Sequence, residues 1–432
     1  MKALIVSLES FQRGEVPPEV QQYIRSCETE PFIILDESSK IKTNEPCKDS
    51  KKSKRTQAIL KLNRIGERCI LTGTFMSKSP VNAYDQMNFL KAGFFPESIY
   101  AFAEHYTIRR SLKNVRGARV TLPQKDYENI RKRMIKYKND RSGLSNVMEG
   151  IRAFYGITYD DCVYIMKHEK YSPFKNLNEL WQKIGDVCVH PKKEDILDIP
   201  PKIYKSYKIE LTKEQKDLYL QLQNQHCTDR ITVDNGLKLY IRFQDICNGY
   251  EPVDTGEINE KGSNIVELAP LKENPKLDLL EELIEEIGDQ QVVVWCARSR
   301  LLHDAFARLT DKGYTCGIYD GKVGTDVREK YYENFSKKEI QVLFANQASG
   351  AYGLDGLKEA DYAIYLCNDS SVEKRQQSED RTYRGIVNRN KYIIDIECEG
   401  TVEQTVTEAL RQGKELIDSG ITDVSIFKYY GK

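Results

Sequence analysis

The sequence has no long apolar stretch and no paired cysteines. None of its apolar runs approaches the roughly 18 residues that a membrane-spanning helix needs, and the short run near its start, residues 3–8, has no small-residue cleavage site. The eleven cysteines lie singly, without a C-x-x-C pair, and the five histidines are scattered. These absences argue against a membrane protein, a disulfide framework and a metal centre built from protein ligands alone. We therefore expect a cytoplasmic protein with reduced cysteines.

The net charge is zero, which excludes a uniformly basic nucleic-acid-binding protein, but the charges are unevenly distributed. Residues 109–141 contain twelve Lys or Arg against three acids, and residues 251–289 contain twelve acids against three Lys. The basic block, which includes Tyr127 and Tyr137, is either a phosphate-binding surface or a solvated helix face. The candidate nucleic-acid contacts are Arg109, Arg110, Arg131, Lys132 and Arg133.

A chain of 432 residues is long enough for more than one domain. Short apolar runs, each followed by a stretch with helical spacing, occur towards both ends and predict parallel βα units. The region between them is rich in Lys and Tyr and contains a Pro-Pro break at Pro200. We predict an α/β protein with a first lobe over residues 1–200, a linker over 201–270 and a second lobe over 271–432. Residues 110–172 form a mainly helical insertion in the first lobe.

The predicted elements follow from these runs. Strands of the first lobe are predicted at residues 3–8, 32–35 and 68–71. In the second lobe, strands are predicted at 291–296, 315–319, 340–345, 362–366 and 392–396, and helices at 301–309, 327–335 and 372–383.

Two carboxylates follow an apolar strand in the first lobe. Phe32–Leu35 leads directly into Asp36 and Glu37, and the carboxyl ends of parallel strands are where open α/β sheets bind ligands. In a nucleotide hydrolase, one acid at this place holds Mg²⁺ while its neighbour orients water. An apolar strand ending in two acids is also common by chance. A second motif, Leu71-Thr72-Gly73-Thr74, follows the next strand, although an ordinary turn would look the same.

The second lobe carries two further motifs. A glycine-containing segment with Gly353 and Asp355 follows the strand predicted at 340–345. Gln377 precedes Arg381 and Arg384 in the pattern Q-x-x-x-R-x-x-R, and arginines three residues apart share one helix face and can reach a single anion. Taken alone, the glycine-containing segment is better explained as a plain loop, and the arginine pair as a solvated helix face.

Together, in this order and spacing, the motifs resemble the Swi/Snf-like branch of superfamily-two helicases, which are DNA-translocating ATPases. The acidic motif is Asp36-Glu37-Ser38-Ser39-Lys40-Ile41-Lys42, and Asn274-Pro275-Lys276-Leu277 opens the second lobe as in relatives. The resemblance spans nearly the whole chain and implies two RecA-like parallel-sheet lobes. The wording of residues 375–381 looks most like phage-encoded members. That likeness implies a bacterial or phage-infected host cytoplasm.

The resemblance also implies roles for individual residues. Asp36 would coordinate Mg²⁺, Glu37 would activate water, and Arg381 and Arg384 would act as arginine fingers. The other implied roles are nucleotide binding by Gln377, Gly353 and Asp355, and coupling of nucleotide state to the track by Thr72, Gly73 and Thr74. The cofactors would be ATP and Mg²⁺, and the track would be double-stranded or branched DNA, serving a process such as repair or recombination.

The phosphate-binding loop G-x-x-x-x-G-K-[ST] does not occur in the 432 residues. In relatives this loop precedes the acidic motif, so we expect the first lobe to be incomplete at its N-terminus and the chain alone to hydrolyse ATP negligibly. A separate chain would then supply the missing half-lobe. The alternative is a non-catalytic DNA-binding or regulatory protein derived from such a helicase. A restriction-system motor would share these motifs, but it needs a nuclease or methylation domain for which the sequence offers no candidate.

Overall fold

A computed structural model describes most of the chain. The described residues are 3–41, 52–73, 75–76, 79–112, 119–169, 171–189, 202–233, 236–259, 264–350, 356–383 and 389–411. The chain divides into two compact units, residues 1–190 and residues 191–432. Among the described helices, none is both long and apolar enough to cross a membrane.

The first unit contains eight described helices and four strands. The helices are α1 (Pro18–Ser26), α2 (Lys54–Leu60), α3 (Ala83–Leu90), α4 (Ile99–Tyr106), α5 (Gln124–Ile135), α6 (Arg141–Tyr155), α7 (Tyr159–Lys167) and α8 (Leu177–Gly185). The strands are β1 (Phe32–Leu35), β2 (Glu67–Ile70), β3 (Arg109–Ser111) and β4 (Arg119–Thr121). Short 3₁₀ helices cover Leu8–Phe11, Ser38–Ile41 and Pro80–Asn82.

Strands β1 and β2 form a parallel pair that holds the acidic motif in place. Phe32 is in register with Glu67 and Leu35 with Ile70, and Leu35 is buried with residues of α2 in one apolar cluster. Gly66 immediately precedes β2 and has a φ of +56°, and a Cβ there would lie 1.9 Å from the carbonyl oxygen of Pro31. Only glycine therefore allows the two strands to approach at this point.

The helices α5, α6 and α7 form a separate apolar core with Ile108 and Leu122, which flank the antiparallel pair β3–β4. Tyr127, Ile130 and Met134 of α5 are fully or almost fully buried in this core, as the 3.6-residue period of a helix requires. The mainly helical character predicted for residues 110–172 matches these elements.

The second unit contains the other described elements. The strands are β5 (Lys202–Ile209), β6 (Cys227–Thr228), β7 (Ile231–Thr232), β8 (Tyr250–Ile258), β9 (Asn264–Pro270), β10 (Val292–Cys296), β11 (Cys316–Tyr319), β12 (Val342–Asn346), β13 (Tyr362–Cys367) and β14 (Lys391–Cys398). The helices are α9 (Lys213–Gln225), α10 (Gly236–Cys247), α11 (Pro275–Ile287), α12 (Ser299–Asp311), α13 (Thr325–Ser336), α14 (Gln347–Gly350), α15 (Val372–Thr382) and α16 (Val402–Arg411), and a 3₁₀ helix covers Gly356–Glu359.

A six-stranded parallel sheet forms the centre of the second unit. Its strand order is β11-β12-β10-β13-β14-β5. Strands β10 and β12 are buried along their whole length, as expected for parallel strands covered on both faces. The α/β fold predicted from the sequence is therefore confirmed, and the predicted second-lobe strands agree with the observed ones to within two residues.

Two predictions about the elements are wrong. Residues 3–7 form no strand, and Leu8–Phe11 is a 3₁₀ helix. The segment predicted as a linker contributes β5, which pairs in parallel with β14 from Lys202↔Lys391 to Ile209↔Cys398. Its alternating Lys and Tyr residues fit an edge strand, where lysine discourages pairing with other chains.

Candidate functional site

The two acids of the first unit lie at the carboxyl end of β1. Asp36 is exposed and Glu37 is half-buried, whereas Ser38 and Ser39, which begin the following 3₁₀ helix, are buried. The Asp36 Oδ1 atom accepts a hydrogen bond of 2.9 Å from the backbone N–H of Glu37. The geometry places two hard carboxylate ligands beside a turn, which is a chemistry that suits Mg²⁺.

The backbone at Glu37 is in the left-handed region, with a φ of 50°. Non-glycine residues rarely adopt this conformation, and its cost is of order 1–3 kcal/mol. The surrounding hydrogen bonds hold it, because the backbone N–H of Lys40 donates to the Glu37 carbonyl at 2.9 Å. Such strained positions cluster at functional sites, so this one singles out the second acid of the motif.

The acidic motif is joined directly to the Leu71-Thr72-Gly73-Thr74 motif. The backbone N–H of Leu71 donates to the Leu35 carbonyl, and the N–H of Ser38 donates to the Leu71 carbonyl, both at 2.9 Å. Thr72 is half-buried and Gly73 is exposed. Thr74 lies outside the described residues. The structure therefore brings the predicted catalytic and coupling segments of the first unit together.

Gln86 of α3 also lies between these two segments, and the sequence analysis did not single it out. The side chain is fully buried. Its Oε1 accepts from the Ser38 hydroxyl at 2.8 Å, and its Nε2 donates at 2.8 Å to the carbonyls of both Phe75 and Asn82. In the sequence, the one indication of its role is that it is a polar residue within a helix, Ala83–Leu90, whose buried positions include Ala83, Met87 and Phe89.

In the second unit, helix α15 carries Gln377 and Arg381, both half-buried. The Oε1 atom of Gln377 is buried and has no hydrogen-bond partner among the described residues. Helix α15 ends at Thr382, one residue after Arg381. Arg384 lies outside the described residues.

Gly353 and Asp355, the other predicted nucleotide-binding residues, also lie outside the described residues. The segment before them is described as far as Gly350 and begins at the carboxyl end of β12. There Gln347 is fully buried, and its Oε1 accepts a hydrogen bond of 2.7 Å from the backbone N–H of Asp369. This bond joins the loops that follow β12 and β13.

Arg375 fixes α15 to the sheet through a buried network of charges. Its guanidinium bonds to Asp395 of β14 (Nη2 to Oδ2, 3.1 Å), to Asn368 Oδ1 (2.7 Å) and to Glu379 Oε1 (2.7 Å). Glu379 in turn accepts from the ammonium group of Lys202 on β5 at 2.9 Å. The face of α15 that carries these contacts is buried, which sets the rotation of the helix and hence the direction of Gln377 and Arg381.

The network lowers the pKa of its carboxyl groups. Burial alone raises the pKa of Asp395, but the opposing charge of Arg375 and its hydrogen bonds hold the pKa below its usual value. The pKa of Glu379 is lowered in the same way, against its burial, by Arg375 and Lys202. Both groups are therefore charged and paired at neutral pH.

The predicted nucleic-acid contacts divide into structural and exposed residues. Arg109 is 1% exposed and bonds to the carbonyl of Arg119, so its assignment as a phosphate contact is wrong. Arg110 is one-third exposed, and its Nη1 lies 2.6 Å from Asp126 Oδ2. Tyr127 is a core residue rather than a surface ring, because its side chain is fully buried.

The outer side of α5 keeps a basic surface. Lys132 and Arg133 are exposed and Arg131 is half-buried. Charge counting along the sequence could not separate these residues from Arg109, because burial depends on which face of each element meets the core.

Residues 275–385 match the family model of the helicase conserved C-terminal domain. The match begins at the first residue of α11, includes β10 to β13 and α15, and ends at residue 385. This stretch contains Gln377, Arg381 and Arg384.

Similar proteins include ATPases of chromatin remodelling. A probable chromatin-remodeling complex ATPase chain from Oryza sativa subsp. japonica is 24% identical over 223 residues, covering 49% of this chain and 19% of that protein. Chromodomain-helicase-DNA-binding protein 1-like from Danio rerio is 25% identical over 178 residues, or 41% and 16%. The matched stretch is thus under a fifth of the length of these relatives.

Solved structures give weaker matches. The C-terminal part of the Fun30 ATPase domain has a TM-score of 0.40 and 12% identity, covering 52% of this chain and 97% of that one. The Sulfolobus solfataricus SWI2/SNF2 ATPase core in complex with dsDNA has a TM-score of 0.35 and 17% identity, covering 92% and 71%.

Proposed function

We propose that this chain is part of an ATP-dependent DNA translocase of the Swi/Snf-like type. The observation that carries the proposal is the junction of two motifs in the first unit. There, Asp36 and Glu37 stand at the carboxyl end of a parallel strand, and Ser38 is hydrogen-bonded to Leu71 at the start of the predicted coupling loop. The helicase C-terminal domain match over residues 275–385 supports the same function.

The chemistry would be hydrolysis of the terminal phosphate of ATP. Mg²⁺ neutralises phosphate charge when bound, and the exposed carboxylate of Asp36 suits it as a ligand. Glu37 would orient the attacking water and accept its proton. Arg381 and Arg384 would stabilise the charge on the transferred phosphate, and Gln377, Gly353 and Asp355 would line the nucleotide.

The nucleotide needs more ligands than these. A P-loop supplies backbone amides and a lysine to the β and γ phosphates, and the 432 residues contain no such motif. The proposal therefore requires a P-loop from outside these 432 residues, and we propose that a partner polypeptide supplies it. The finer assignments, a phage origin and a role in DNA repair or recombination, stay predictions from the sequence.

DNA binding would use the exposed basic side chains of α5, Lys132 and Arg133, with Arg131 beside them. Backbone phosphates are recognised by Lys and Arg without sequence specificity. Such recognition is what a protein that moves along duplex or branched DNA requires.

The test is DNA-stimulated ATP hydrolysis by the purified full chain, alone and mixed with a P-loop-bearing protein encoded next to it. Glu37→Gln is the matched control, because it keeps the size of the side chain and removes the base. We expect DNA-stimulated hydrolysis in the mixture and a loss of at least about a hundredfold in the variant.

Two outcomes would contradict the proposal. Hydrolysis that Glu37→Gln does not reduce would assign the activity to a contaminant or to another site. No hydrolysis in any mixture, together with tight and salt-sensitive DNA binding, would favour the non-catalytic DNA-binding protein.

A further inference from the structure

Gln86 makes three hydrogen bonds that join three segments of the first unit. The segments are the 3₁₀ helix that begins at Ser38, the loop at Phe75 and the start of α3 at Asn82, each bonded at 2.8 Å. Ser38 and Asn82 are themselves almost completely buried. Water therefore cannot replace a lost partner, and a broken bond leaves a buried polar group unsatisfied.

The carboxamide of Gln86 is one planar group, so its two ends move together. A shift of Ser38 that tilts the plane at Oε1 must also displace Nε2 from the Phe75 carbonyl. A second connection runs beside it, since the backbone N–H of Ser38 donates to Leu71 at 2.9 Å. The segment after Glu37 and the segment around Thr72 are thus tied at two points.

We infer that Gln86 is a positioning residue that transmits the state of the Asp36–Glu37 turn to Leu71 and Phe75, which stand on either side of the predicted coupling motif. The inference rests on the proposed function, because it assigns to this motif the response to DNA. Gln86 itself touches neither nucleotide nor DNA, and it acts by holding Ser38 and Phe75 in a fixed relation.

Three variants test the hydrogen bonds of Gln86 to Ser38 and to Phe75 separately. Gln86→Leu removes all three bonds with little change in volume. Ser38→Ala removes the arm to the acidic motif and leaves the arm to Phe75. The matched control is Asn88→Leu on the same helix, where the carboxamide donates to the Tyr84 carbonyl one turn earlier.

The first measurement is DNA stimulation, the ratio of ATP hydrolysis rates with and without DNA, for the full chain with its P-loop partner. Gln86→Leu and Ser38→Ala should each lower the ratio about tenfold, and the double variant should lower it no further, because the two residues act through one connection. Asn88→Leu should leave the ratio unchanged. Two results would overturn the inference. One is an equal fall of the hydrolysis rate with and without DNA, and the other is a double variant in which the two reductions of the ratio add.

The second measurement is hydrogen exchange of the full chain alone, which needs no activity. Gln86→Leu should raise the exchange rates of the Ser38 and Leu71 amides together, about tenfold, while the amides of α3 keep their rates. Faster exchange confined to α3, or spread over the whole unit, would reduce Gln86 to a packing residue. If the wild-type chain shows no Glu37-dependent hydrolysis, the proposed function fails, and this exchange experiment still decides whether Gln86 links the two segments.

Discussion

Arg375 stacks on the ring of Tyr365, with its guanidinium carbon 3.5 Å from the ring centroid. The same guanidinium forms ion pairs with Asp395 and Glu379, so one buried cation joins α15 to strands β13 and β14. Stacking and bidentate pairing both depend on the planar shape of arginine, which lysine cannot reproduce.

Arg375→Met should destabilise the second unit strongly. The variant keeps an apolar stem but leaves the buried carboxylates of Asp395 and Glu379 without their main partner, at a cost of about 3 to 5 kcal/mol. Urea unfolding followed by circular dichroism measures the loss. The control is Arg300→Met, which breaks a pair with Asp304 at a side chain that is 51% exposed and should cost less than about 1 kcal/mol. Equal losses in the two variants would contradict the assignment.

The stability of the wild-type chain should fall in acid more steeply than that of Arg375→Met. The folded-state pKa values of Asp395 and Glu379 are lowered, so their contribution is present above the unfolded-state values of about 3.9 and 4.3 and is lost as pH falls through the folded-state values. In Arg375→Met both carboxylates have lost their main partner, so protonation in acid stabilises the folded state of the variant relative to its charged form. The difference in unfolding free energy should therefore shrink between about pH 5 and pH 2, and a constant difference would refute the charge network.

Lys276→Met should be rescued in part by a second substitution at Glu403. Lys276 is fully buried, and its ammonium group lies 2.5 Å from Glu403 Oε1 and 2.9 Å from Asn248 Oδ1. Removing the cation leaves a buried carboxylate, so we expect a loss of about 3 to 5 kcal/mol. Lys276→Met combined with Glu403→Gln should recover about half of that loss. Additive losses in thermal or urea unfolding would mean that the two groups do not interact.

Reversal of two charges on α5 should weaken DNA binding and flatten its salt dependence. Lys132→Glu with Arg133→Glu would remove two of the proposed phosphate contacts, which should lower the slope of log affinity against log salt by about 2. Fluorescence anisotropy with a labelled duplex at several salt concentrations measures the slope. The control is Lys330→Glu with Lys337→Glu, two exposed lysines of the second unit with the same change of charge. If both double variants lower the slope equally, the effect comes from the net charge of the protein and not from a DNA-binding surface on α5.

Buried strands were the easiest part of the fold to predict from the sequence. Val292–Cys296 and Val342–Asn346 are continuous apolar runs because both faces of the central sheet are covered. Strand β5 could not be predicted in this way. Its sequence, KIYKSYKI, alternates like a surface segment, and its partner β14 is distant in the chain.

The candidate site was predictable where motifs are local and not where contacts are tertiary. Asp36 and Glu37 follow their strand in sequence, so their place at its carboxyl end could be predicted. Gln86 reaches Ser38 across 48 positions of the chain. Arg109 is buried, with its guanidinium bonded to the carbonyl of Arg119 on the paired strand. Neither property leaves a periodic signal in the sequence.

The pairing of β5 with β14 also sets an order of events during synthesis. Lys202 leaves the ribosome about 190 residues before Lys391, its register partner, which at 5–20 residues per second is a delay of about 10 to 40 s. During that time β5 has no strand beside it. The unpaired β5 segment carries three positive charges, at Lys202, Lys205 and Lys208. These charges discourage its association with other nascent chains until β14 has been synthesised.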